Sequence, residues 1–171
     1  MKKIRPELVF QVGMVVHSVD ETLERLKECF AFDESSVAVK TTKDMAEAGT
    51  FTDCKYLEQP KDFYIKTARL NFGGIDFEYI EPLDPSGGDP FSDFLREHGQ
   101  GIHHVNIKMD DRSGLELNLK ELGVPELTSG KMGDKSFALY DLRELFGFIA
   151  EVGDMVVGPM ADAYYGTHPR P

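Results

Sequence analysis

The sequence predicts an α+β fold built from two tandem βαβββ modules, and three observations carry that prediction. Each half of the chain reads as a strand, a helix and about three further strands. Laying Gln11 on His104, an offset of 93 residues, also superposes Val12 on Val105, Met14 on Ile107, Leu26 on Leu119 and Lys27-Glu28 on Lys120-Glu121. Between the halves, Glu81 to Pro90 packs three prolines and two glycines into ten residues, which marks a loop that divides the chain. Together these describe an internal duplication.

Each element has a local reason. Leu8 to Val16 is apolar and rich in β-branched side chains, interrupted by Gln11 and Gly13, and reads as a buried strand. Ser18 with Glu21 three positions on forms a capping box, and Leu23, Leu26 and Phe30 then recur at helical spacing to about Phe32. From Ser35 to Tyr56 the pattern is mixed: Val37 and Val39 alternate as in a strand, whereas Asp44 to Gly49 is polar and Ala-rich and reads as an excursion. Asp62 to Asn71 alternates again, the Gly73-Gly74 pair turns the chain, and Ile75 to Ile80 returns as a hairpin partner.

Past the dividing loop, Phe91 to His98 is a short amphipathic helix. Ile102 to Met109 is a strand, and Asp110 to Leu122 a helix with Leu115, Leu119 and Leu122 on one face. Pro125 to Ser129, Ser136 to Leu142 and Phe148 to Val152 complete the strands. The expected organisation is a first module over 1–81, a linker with a short helix over 82–100, a second module over 101–153 and a C-terminal extension over 154–171. The extension carries the pair Tyr164-Tyr165, costly to leave wholly exposed, and reads as a surface extension or partner-packing arm.

Composition narrows the function. The 171 residues suffice for a real core, and 41% hydrophobic with 29% charged residues is ordinary for a globular protein. A net charge of -11 repels polyanions and argues against nucleic acid or an anionic membrane as partner. No apolar run approaches the ~20 residues of a membrane span, and no signal-type segment follows the N-terminus, so a cytoplasmic protein is expected. Cys29 and Cys54 read as reduced structural thiols.

The duplication also selects a site. The closing strands superpose at an offset of 73, which lays Glu78 on Glu151, each inside an otherwise apolar run. A carboxylate is expensive to bury there without a partner, and a divalent cation serves two of them. Gln11, Glu78, His104 and Glu151 then form a pseudo-symmetric set of four metal ligands, two from each half. Imidazole, carboxylate and amide oxygen donors suit octahedral Zn²⁺, Ni²⁺, Co²⁺ or Mn²⁺. His103 alternates to the opposite face, and His104 is preferred because it shares its register with Gln11.

Glu78-Tyr79-Ile80-Glu81-Pro82-Leu83, Phe94-Leu95 and Gly101-Ile102-His103-His104-Val105 through Asp110-Asp111 resemble methylmalonyl-CoA epimerase and its glyoxalase-like relatives in the vicinal oxygen chelate superfamily. The resemblance spans most of residues 8 to 153. It implies a cupped, mostly antiparallel eight-stranded sheet with helices outside, a homodimer, and a divalent metal on Gln11, Glu78, His104 and Glu151. Gln and Glu in the first half depart from the His and Gln usual in the epimerases and resemble eukaryotic glyoxalase I.

The implied chemistry is proton abstraction next to a metal-bound carbonyl, with Glu151 or Glu78 as the base. The substrate is then an acyl-CoA thioester for an epimerase, or a thiohemiacetal for a glyoxalase I-type lyase. The acid for the opposite face is unassigned, with Glu47 and Glu58 as weak candidates. A non-haem iron dioxygenase fits poorly, because only one His falls in register where two are needed. A non-enzymatic binder of small drug-like molecules is the remaining alternative in the same fold.

Overall fold

In the computed structural model, residues 1–84, 86–156, 158, 161–163 and 166 are described; Tyr164 and Tyr165 lie outside them. The first half comprises β1 (Pro6–Val15), α1 (Val19–Cys29), β2 (Ala38–Thr41), α2 (Thr42–Glu47), β3 (Phe51–Tyr56), β4 (Gln59–Pro60), β5 (Ile65–Phe72) and β6 (Ile75–Pro82). After α3 (Pro90–His98), the second half comprises β7 (Gly101–Met109), α4 (Arg112–Glu121), β8 (Glu126–Met132), β9 (Lys135–Asp141), α5 (Arg143–Phe146) and β10 (Ile149–Gly153).

All the strands join one curled sheet in the order β2-β5-β6-β1-β7-β10-β9-β8-β3-β4. The two halves mirror one another about the antiparallel β1–β7 seam, where Val12 faces Val105. The sheet is mixed: β1 runs parallel to β6, and β7 parallel to β10. The expected eight-stranded, mostly antiparallel sheet is therefore corrected to a ten-stranded mixed half-barrel.

The two additional strands come from the excursion over residues 40–59. It leaves the β2 edge, forms α2 and then joins the opposite edge, pairing Phe51 with Met132 and Tyr56 with Thr128. Local periodicity is weak here because β3 is bulged. Its pairing shifts between Thr52 and Lys55, and Asp53 takes a φ of 56°. The bulge lets Phe51 and Cys54 both turn inward, and each is buried. Cys54 is a structural thiol, its pKa pushed up to about 12 by burial and then by Asp62 and Asp53.

Side-chain alternation sorts the sheet into two faces. On the convex face, Leu23 of α1 packs with Leu70 and Tyr79, and Leu119 of α4 packs with Ile107 and Tyr140. On the concave face, Val15, Ile65, Ile80, Leu139 and Ile149 meet Phe51, Phe63, Phe91 and Phe137 in a third cluster. Phe51 stacks on Phe137 at 6.3 Å and meets Phe63 edge-on at 5.6 Å, so aromatic contacts tie the excursion across the concave face. Among the described residues no helix is long and apolar enough to cross a membrane.

Candidate active site

The polar positions of the concave face lie on β6, β1, β7 and β10, the four central neighbours. Strand pairing arranges them in two cross-sheet rows. Glu78, Gly13 and His104 are aligned in one row, while Asp76, Gln11, Asn106 and Glu151 are aligned in the next. Gln11, Glu78, His104 and Glu151 all line one cavity of about 100 Å³. Its other walls include Met45, Phe51, Phe63, Phe91 and Phe137.

His104 is 1% exposed and occupies space that Gly13 leaves open: a Cβ at Gly13 would press on the imidazole Cε1 and Nε2. Its Nε2 lies 2.9 Å from Glu151 Oε2. That approach does not satisfy hydrogen-bond geometry, because Nε2 remains buried with no hydrogen-bond partner. Burial draws the His104 pKa down, but Glu151 and Glu78 outweigh it and hold the imidazole above its ordinary value.

The His104 Nδ1 meets His103 Nδ1 at 3.0 Å. His103 departs from the expectation that it lies on the opposite face. Its ring is buried against Phe91 and Phe94, at 5.0 and 4.9 Å between centroids, and it reaches back to its neighbour. Only one of the two facing nitrogens can carry the shared proton, so the pair links the two tautomers.

Glu78 points into the same cavity. Burial, followed by repulsion from Glu151, pushes its carboxyl up to about 7 despite the opposing charges of His104 and Arg69. Gln11 is held differently. Its Nε2 donates to Asp76 Oδ2 at 2.6 Å, and its Oε1 accepts from Asn106 Nδ2 at 3.1 Å. Asp76 in turn accepts from Arg69 Nε at 2.8 Å. Asp76, anchored by Arg69, orients the Gln11 amide, and through it the Asn106 amide, leaving Asn106 Oδ1 buried and unpaired.

The four expected ligands thus share a cavity without forming a finished centre. Among the described residues no three His, Cys, Asp or Glu side chains are grouped closely enough to hold a metal ion. The donor chemistry still fits a divalent ion. His104 Nε2 lacks a hydrogen-bond partner, Glu151 crowds it off-axis, and a second carboxylate faces both. The Gln11 oxygen retains a second lone pair beside its bond from Asn106. Glu47 and Glu58 are exposed and do not line this cavity.

No protein-family model matches the sequence, and no curated protein matches it. Among solved structures, a variant of methylmalonyl-CoA epimerase from Streptomyces coelicolor, in complex with 2-nitronate-propionyl-CoA, aligns with a TM-score of 0.57 at 14% identity. The alignment covers 87% of this chain and 97% of that one. Methylmalonyl-CoA epimerase from Mycobacterium tuberculosis aligns with a TM-score of 0.56 at 18% identity over 85% of each chain. A methylmalonyl-CoA epimerase in complex with methylmalonyl-CoA and NH4+ aligns at 0.54 and 16% identity, covering 87% of this chain and 94% of the other. The chain has the vicinal oxygen chelate fold. The three neighbours named above are methylmalonyl-CoA epimerases.

Proposed function

We propose that this protein is a metal-dependent epimerase or isomerase that removes a proton next to the carbonyl of a short acyl thioester. The observation that carries this reading is Glu78, a carboxyl raised to about 7 that faces a small apolar cavity beside His104 and Glu151. Without the cation, a carboxyl with that pKa exchanges protons near neutral pH; a bound cation lowers it, so Glu78 serves as base only when detached from the metal. Met45, Phe51 and Phe63 exclude water from the reacting carbon, and the cavity of about 100 Å³ takes a short acyl group while its carrier lies outside.

His104, Glu151, Glu78 and Gln11 would hold a divalent cation, which would supply Lewis-acid stabilisation of the charge that develops on the substrate carbonyl oxygen. Glu78, detached from the cation on substrate binding, accepts the proton as the C–H electron pair moves toward the carbonyl oxygen. Glu78 and Glu151 stand in the two mirrored halves of the sheet, so one carboxylate serves each face of the planar carbon. A proton taken from solvent and passed by way of Glu151 to the opposite face inverts the centre, and Glu78 then releases its own proton to solvent.

The donor types Gln, Glu, His and Glu favour a second reading, a glyoxalase I-type lyase acting on a thiohemiacetal. One experiment separates the two. In D₂O with zinc, cobalt or nickel, methylmalonyl-CoA is expected to exchange its α-proton, while methylglyoxal with glutathione is not turned over. Turnover of methylglyoxal without exchange reverses the assignment, and inactivity toward both removes it.

A further inference from the structure

We infer that Met155, Val156, Gly158 and Ala161, beyond β10, form a strap that belongs to the site: it closes the cavity at its Gln11 end and, by keeping water from Asp76, holds the Gln11 amide in a single orientation. These are positioning residues. Their part in catalysis rests on the reading of this cavity as the place of proton transfer.

The strap leaves β10 in a fixed direction. A Cβ at Gly153 would stand 2.8 Å from the Ser136 carbonyl oxygen, so only glycine lets β10 end this close to β9. The next residue is pinned there. The Asp154 N–H donates to Ser136 O at 2.9 Å, and its carboxylate accepts from Ser136 N and Oγ at 3.0 and 2.6 Å. Arg112 Nη1 pairs with the other carboxylate oxygen at 3.3 Å. Met155 then joins Gln11, Asn106 and Glu151 in lining the cavity.

Two contacts seat the strap on the sheet. Val156 and Ala161 are buried with Phe10 in a small apolar cluster beside Leu8. The β1–β7 pairing shifts between Val9 and Gln11, which takes Phe10 out of strict alternation and leaves it 1% exposed. Gly158, with a φ of 85°, comes so close to Asp76 that a Cβ on it would stand 2.7 Å from Asp76 Cβ. Asp76 keeps only 5% of its side-chain surface.

The consequence reaches Gln11 through one oxygen. The two ends of a carboxamide are nearly equal in shape, so partners decide which way it points. Asp76 Oδ2 accepts from both Gln11 Nε2 and Arg69 Nε, which sets the nitrogen of the Gln11 amide on that side and its oxygen toward Asn106. Water at Asp76 would compete for that oxygen, whereas a dry surround strengthens the hydrogen bond. Sealing Asp76 therefore fixes Gln11.

Side-chain amide exchange, followed by NMR on the isotope-labelled full chain, tests the strap. Ala161→Glu and Ala163→Glu are a matched pair, since Ala161 is 0% exposed and Ala163, two residues on, is exposed. In the unaltered protein the Gln11 and Asn106 side-chain amides are expected to exchange at least about ten-fold more slowly than that of the exposed Gln59. Ala161→Glu places a carboxylate where none can be buried, and should remove that difference while the backbone amides of Ala138 and Tyr140 in β9 keep their protection. Ala163→Glu should change neither. Gly158→Ala, which presses on Asp76, should speed the same two side chains about three-fold, and decides the matter if Ala161→Glu does not fold.

Gln11 and Asn106 amides as labile as Gln59 in the unaltered protein overturn the strap, as do amides that stay slow in both variants or that loosen only together with β9. The α-proton exchange of methylmalonyl-CoA should fall about ten-fold in Ala161→Glu and hold in Ala163→Glu. A rate untouched although the two amides have loosened overturns the positioning role. Amides that respond as expected, with no exchange of methylmalonyl-CoA by the unaltered protein, leave the strap standing and remove the proposed reaction alone.

Discussion

Gly13→Ala is expected to destabilise the protein by about 1–3 kcal/mol, the cost of overpacking a filled site, and to weaken divalent-metal binding at least ten-fold. The added Cβ would sit 2.6 Å from His104 Nδ1 and against two further ring atoms. The ring has nowhere to go: it is 1% exposed, with His103 on one side and Glu151 on the other. Gly13 does not have a positive φ, so the cost is steric and not conformational.

Gly101 in β7 supplies the control, since a Cβ there meets nothing within 4 Å and its φ is not positive. Gly101→Ala should be neutral or slightly stabilising, because it narrows the unfolded ensemble. Urea unfolding of both variants checks the contrast. Equal stability of the two would mean that His104 does not occupy the space above Gly13.

Glu78→Gln is expected to lower α-proton exchange by about 10²–10⁴-fold while making the metal-free protein more stable above neutral pH. The second effect follows from linkage. The Glu78 carboxyl titrates at 4.5 as a reference group and at about 7 in the fold. The folded protein therefore holds this proton more tightly. Its contribution to stability is fully present below pH 4.5 and is lost as pH rises through 7.

Gln cannot ionise, so the variant should gain on the order of 1–2 kcal/mol over the unaltered metal-free protein at pH 8 and nothing comparable at pH 4. A carboxylate whose removal costs activity and raises stability is one retained for chemistry. Thermal unfolding at the two pH values, paired with exchange rates, checks both effects. Loss of stability at pH 8 would mean that Glu78 is held by a structural partner.

Symmetry made the centre of this site legible in the sequence and concealed its surroundings. Gln11 with His104, and Glu78 with Glu151, were selected because each is the other's counterpart in the duplication, and all four line one cavity. Asp76 and Asn106 have no such counterpart. By the same offsets they superpose on Ile149 and Gly13, so the comparison that finds Gln11, Glu78, His104 and Glu151 passes over these two polar neighbours. The alternation of Asp76 with Glu78, and of Asn106 with His104, was the available signal.

Arg69 stands opposite Glu78, whereas Leu139 stands opposite Glu151, so it too breaks the symmetry. The excursion was obscure for a different reason. β3 is specified by pairing with β8, 72 residues away along the chain from Tyr56 to Thr128, and by a bulge at Asp53, neither of which leaves a local period. Alternation assigned His103 to the opposite face, but the β1–β7 pairing shifts register between Gly13 and Met14, beside His103, and such a bulge leaves no local period.

The central claim is that Gln11, Glu78, His104 and Glu151 converge on one divalent ion. Anomalous diffraction from crystals of the zinc-loaded protein tests it directly. The expected result is a single zinc peak about 2.0–2.2 Å from His104 Nε2 and from oxygens of Glu151, Glu78 and Gln11, with Gln11 keeping its amide hydrogen bond to Asp76. A peak elsewhere, or none with His104 still seated against Glu151, would contradict it.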